Sequence, residues 1–90
     1  MSLPTKLVKL NKISNKEEER IIYPASSSEL EWHTDLEDRF IMVIISSGWK
    51  FQFDKELPFV LKDNMTFFIP KNTWHRVISG YDILKVKISY

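Results

Sequence analysis

The chain has 90 residues, 43% hydrophobic and 28% charged, with no cysteine; that bounds it to one small globular domain, residues 1–90, and excludes disulfides and thiolate metal sites. Thirteen basic residues against twelve acidic ones leave a formal net charge of +1, so no overall field draws nucleic acid or an anionic membrane. The longest apolar run, Phe40 to Ile45, is six residues, far short of a membrane span, and Met1 to Leu10 has no signal-like stretch, so a soluble cytoplasmic protein is expected.

Thr5 to Leu10 alternates polar and apolar residues, which predicts a short first strand. Asn11 to Arg20 is polar and ends in Lys16-Glu17-Glu18-Glu19-Arg20, the composition of a solvated turn or a single helical turn. From there the chain reads as strands at Arg20–Tyr23, Glu29–His33, Phe40–Ile45, Trp49–Phe53, Pro58–Leu61, Met65–Ile69, His75–Ile78 and Ile83–Ser89, separated by polar turns. Trp49–Phe53 and Ile83–Ile88 alternate with period two, the mark of half-buried strands. Phe40–Ile45 does not alternate and is expected to be central and covered on both faces, in part by a second copy of the chain. The class is all-β. Two glycines are few for so many turns, so Asn64 and Asn72 are expected to supply positive φ.

His33 and His75 are the only histidines, and histidine is both the commonest metal ligand and the usual acid or base near neutral pH. On an extended strand His33, Asp35, Glu37 and Arg39 share one side, while Trp32, Thr34 and Leu36 take the other. An imidazole and a carboxylate then enter the same cavity if that side faces inward. Most of the aromatic residues read as core and interface; Trp74 is a candidate for the cavity mouth. Lys85 and Lys87 read as a solvated strand face. The basic residues are scattered, and there is no Gly-rich phosphate loop, no nucleophilic serine motif and no paired-histidine helix motif.

The segment from Asn64 resembles the second motif of the cupin superfamily, a Gly, Pro, Gly, His, Asn pattern at fixed spacing. Asn64 stands at the first Gly, Pro70 at the Pro, Asn72 at the second Gly, His75 at the His and Ser79 at the Asn. The first motif is degenerate: His33 matches the first His, Asp35 stands at the second, Arg39 at the Glu, Ser27 at the leading Gly and Ser46 at the trailing one, with Gly48 nearby. The likeness covers Arg20 to Ser89 as barrel core, with residues 1–19 as an N-terminal strand and polar segment. It implies a small double-stranded β-helix, the jelly-roll barrel, with Asn64, Pro70 and Asn72 as structural turn residues. It further implies a divalent metal (Fe, Mn, Ni or Zn) on His33, Asp35 and His75. Arg39, Glu37 and Trp74 would contact a small organic ligand, Glu37 being a candidate base, in a protein that forms homodimers. The alternative is a metal-free module in which Arg39 pairs with a carboxylate or phosphate. Arg39 divides the two readings, since a guanidinium aimed into the cavity favours an anion and opposes a cation.

Overall fold

The computed structural model describes residues 8–14, 16–24 and 30–90, with side chains for all of these except 8–14. Eight strands run β1 (Val8–Ser14), β2 (Glu17–Ile22), β3 (Arg39–Ile45), β4 (Lys50–Phe53), β5 (Phe59–Val60), β6 (Thr66–Ile69), β7 (His75–Ile78) and β8 (Leu84–Ser89). They form a five-stranded sheet in the order β1-β2-β8-β3-β6 and a three-stranded sheet β5-β4-β7, with every pairing antiparallel. The two sheets face each other as a jelly roll, which is how a short all-β chain buries one face of each sheet.

Period-two alternation places the core. In β8 Leu84, Val86 and Ile88 are buried while Lys85 and Lys87 look outward. They meet Ile22 of β2 and Ile41 and Val43 of β3 on the same face, and Phe51, Leu61 and Val77 close over them. Trp49 is fully buried, and its indole N–H donates to the Asp82 carbonyl at 2.6 Å, which satisfies the one polar atom such a ring brings into a core. Gly80 packs where a Cβ would lie 2.1 Å from the Ser47 carbonyl oxygen, so only glycine fits. The turns rest on left-handed residues: Ser47 (φ 43°), Gly48 (74°), Lys55 (64°), Asn64 (69°) and Asn72 (59°), and asparagine tolerates that region better than most side chains.

Three segments differ from the sequence expectations. Asn11 to Arg20 is not a turn: all but the tip of that stretch continues β1 and β2, a hairpin registered Lys12 to Glu18 and Leu10 to Arg20. The charged run tolerates a strand because alternate residues go to opposite faces. Glu17 and Glu19 lie outside near Lys87 and Lys85, at 3.7 and 3.9 Å, while Glu18 and Arg20 turn inward and neutralise each other. Of the strand expected at Glu29–His33, Glu29 lies outside the described residues and the rest contributes one isolated bridge, at His33. Phe40–Ile45 does run through the sheet interior between β8 and β6, but the described residues cover only one of its faces. Ile41 and Val43 are buried, whereas Phe40, Met42 and Ile45 are exposed. The expected first strand at Thr5–Leu10 is described only from Val8 on, and Ser27 lies outside the described residues. No helix among the described residues is long and apolar enough to cross a membrane.

Candidate metal and ligand centre

His33 and His75 come together through their backbones. Each N–H donates to the other's carbonyl at 3.0 Å, an isolated antiparallel bridge. His75 opens β7 and pairs with Phe53 of β4, so the second sheet anchors it. The loop before it is tied to the His33 side twice: Asn72 N–H donates to the Asp35 carbonyl at 2.7 Å, and Lys71 N–H donates to Asp38 Oδ1 at 2.8 Å. The left-handed turn at Asn72 is what lets the chain make the first contact and still enter β7 with His75 facing inward.

The orientation of both rings follows from their hydrogen bonds. His33 Nδ1 lies 2.7 Å from the Glu31 carbonyl and His75 Nδ1 lies 2.8 Å from the Thr73 carbonyl. A carbonyl only accepts, so both Nδ1 atoms carry the proton, and in the neutral imidazoles both Nε2 atoms present lone pairs. The rings are 95% or more shielded from solvent, 5% and 3% exposed, with centroids 4.4 Å apart in an edge-on arrangement. Phe51 stacks on the His75 ring at 5.4 Å and 17°, which fixes its plane.

Asp35 completes the group. Its carboxylate and the two imidazoles bring ligand atoms within 4.8 Å of one another. Asp35 Oδ2 lies 3.2 Å from His75 Nε2, off hydrogen-bond geometry, and Oδ1 lies 3.4 Å from Arg39 Nη1. Burial alone would raise the Asp35 pKa, but a proton on His75 Nε2 and the Arg39 charge outweigh it and hold the carboxyl below its usual range. Arg39 therefore lies inside, its guanidinium 5.3 Å above the Tyr90 ring, and among the described residues its buried Nε has no hydrogen-bond partner.

A second ionic cluster, absent from the sequence expectations, stands beside the first. Glu18 and Arg20 are both 8% exposed and pair at 3.4 Å, and the Tyr90 hydroxyl donates to Glu18 Oε1. Burial and that bond to a carboxylate push the Tyr90 pKa up to about 12. Period-two counting from Ile22 back through Arg20 and Glu18 was the available signal, hidden by the charge of the run.

The cavity at the barrel centre has Arg20, Asp35, Arg39 and His75 at one end and apolar walls elsewhere. About 40 Å³ is open to the centres of water molecules, roughly three water sites. Glu37 is exposed and does not line it. Trp74 is also outside: with Trp32 and Asp54 it lines a separate surface cleft, because the bridge that turns His33 and His75 inward turns their preceding tryptophans outward. Asn64 and Pro70 are exposed turn residues away from the cavity lining.

No family model and no curated protein matches the sequence. Solved structures do. The chain is similar to a cupin-2 domain protein from Shewanella frigidimarina, with a TM-score of 0.66 at 16% identity over 90% of this chain and 76% of that one. It is similar to a cupin superfamily protein from Desulfitobacterium hafniense, at 0.65 and 15% over 98% and 76%, and to a cupin domain from Bordetella pertussis, at 0.63 and 15% over 91% and 88%. At such identities the likeness is one of fold.

Proposed function

On the premise that this chain has the cupin fold, we propose that it binds a divalent metal through His33 Nε2, His75 Nε2 and Asp35 Oδ2, and with it a small molecule in the barrel cavity. One observation carries the reading. With both Nδ1 atoms committed to carbonyls, the His75 Nε2 lone pair faces a carboxylate oxygen 3.2 Å away, and two acceptors at that distance call for a proton or a cation between them. Two neutral imidazoles and one carboxylate suit Fe(II), Mn, Ni or Zn with positions left open, and carbonyl-anchored imidazoles are the usual outer support of such ligands. Metal–ligand bonds of about 2.1 Å place neighbouring donors about 3 to 3.5 Å apart, so the 4.8 Å group contracts on binding. Asp35, outside any strand, has that freedom in its side chain.

Arg39 sets the strength. Its guanidinium lies 3.4 Å from Oδ1, farther from a cation on Oδ2 than the carboxylate itself, so its repulsion takes back part of the attraction of Asp35 and not all of it. Arg39 acts on Oδ1, which leaves Oδ2 to the metal but makes the site modest on its own. A metal held there would supply Lewis acidity toward an oxygen of the small molecule, while Arg39 and the apolar walls would orient that molecule and exclude water.

The test is elemental analysis of untagged protein after incubation with Fe(II), Mn, Ni or Zn, followed by dialysis. About one metal per chain, lost in both His33→Ala and His75→Ala, supports the reading. No retained metal, or retention unchanged in both variants, removes it and leaves a protonated His75 against Asp35.

A further inference from the structure

Resting on the cavity being the binding site, the geometry points to a ligand class: we propose that the cavity takes a short aliphatic monocarboxylate, with the carboxylate at Arg39 and the hydrocarbon tail running along β3 past Ile41 toward Leu84. Charge comes first. The polar end holds two guanidiniums, Arg20 and Arg39, against two carboxylates, Glu18 and Asp35. Among the described residues these charges balance, so a bound divalent metal would leave an excess of positive charge that an anion removes.

Arg39 is the receiving group. Its only ion pair among the described residues is one 3.4 Å contact to Asp35, its Nε is buried without a hydrogen-bond partner, and a guanidinium offers five donors in a fork matched to a carboxylate. Arg20 lies further along the same wall, facing Val86 in register and already held by Glu18, so it adds field rather than the main contact.

Shape and lining select the remainder of the molecule. Beyond the polar end the walls are Ile22, Ile41, Phe51, Leu61, Val77 and Leu84 among others, with no hydrogen-bonding side chain. A sugar, a dicarboxylate or a phosphate ester would leave polar groups unmatched there. A cation would meet two guanidiniums. The space is about three water sites, which limits the tail to a few carbons.

Isothermal titration calorimetry of the full, untagged chain tests this, both metal-free and zinc-loaded, with sodium acetate, propionate, butyrate and hexanoate against n-butylammonium chloride and inorganic phosphate. Saturable binding that peaks at propionate or butyrate, falls by about tenfold or more for hexanoate, and is absent for butylammonium is the expected result. Arg39→Gln should weaken it by about tenfold or more while Arg39→Lys retains part of it, and Val86→Leu should move the optimum to a shorter acid. Zinc and butyrate should tighten each other's binding by the same factor. Equal binding of all chain lengths, preference for phosphate, or an Arg39→Gln variant with native near-ultraviolet dichroism and unchanged affinity overturns the proposal. Should Arg39→Gln not fold, Val86→Leu decides, and an unmoved optimum counts against. Zinc content is read separately by atomic absorption. A protein that takes zinc but no acid refutes the carboxylate alone; one that takes the acid but refuses zinc refutes the metal reading alone.

Discussion

His33 and His75 are locked together by their peptide groups, each N–H on the other's carbonyl at 3.0 Å, so the spacing of the two imidazoles is a property of the backbone. Removing one ring should therefore leave the other in place. For His75→Ala we expect loss of bound metal with the fold retained and a stability loss of about 2 to 4 kcal/mol, the range for a large side chain removed from a packed site. Chemical denaturation beside metal analysis checks both; unfolded protein, or full metal content, contradicts the expectation.

Tyr90 makes stability fall at high pH. Its folded-state pKa of about 12 stands above the ordinary tyrosine value of 10.0, so the neutral hydroxyl is the favoured form in the native state. That contribution is fully present below pH 10 and is lost as pH rises through 12. Tyr90→Phe should lower stability at neutral pH by about 1 to 3 kcal/mol, since Glu18 loses a donor in a buried place, and should flatten the alkaline loss. Urea denaturation of both proteins between pH 7 and 11.5 measures it; parallel curves would mean that the hydroxyl does not titrate as described.

Asn72, at φ 59°, should cost about 1 kcal/mol or more when replaced by Ala and little when replaced by Gly, because glycine alone adopts that conformation freely. The Ala change also tugs on the 2.7 Å bond to the Asp35 carbonyl, so metal retention should fall with it. Denaturation midpoints for the two variants decide; equal midpoints would place the strain elsewhere.

The outer face of β3 and β6 should join two copies of the chain. Phe40, Phe68, Met42 and Ile45 are 62%, 40%, 36% and 39% exposed, and the two phenylalanine rings touch at 4.8 Å. Beside them the Glu17–Lys87 and Glu19–Lys85 pairs give a rim of both signs that can meet a rotated copy of itself. Sedimentation equilibrium should show a dimer at micromolar concentration and a monomer for Phe40→Glu. A monomeric wild type at about 100 μM would sink the idea.

How much of this was legible depended on whether the signal was local. The alternation of β4 and β8 marked their buried faces, and both asparagine turns and the inward His75 lie within one short segment. The donors His33 and Asp35 were readable as an alternating pair. Glu37 was not placed by such counting, because regular alternation does not extend past Asp35; Trp74 faces out because alternation across the bridge sends the residue before an inward His75 to the other side.

The charged run Lys16–Arg20 shows the limit most clearly. By composition it belongs in water, yet Glu17–Arg20 lies in a strand because β8 offers Lys85 and Lys87 outside and Tyr90, just past its end, reaches Glu18 within. Local sequence by itself determined the strand periods, the turn chemistry and the residue types available for a metal. Only the tertiary structure decided that Asp35 would meet His75 and that Glu18 would meet the Tyr90 hydroxyl, because a charged group is buried only where polar partners satisfy it, and packing brings those partners from distant parts of the chain.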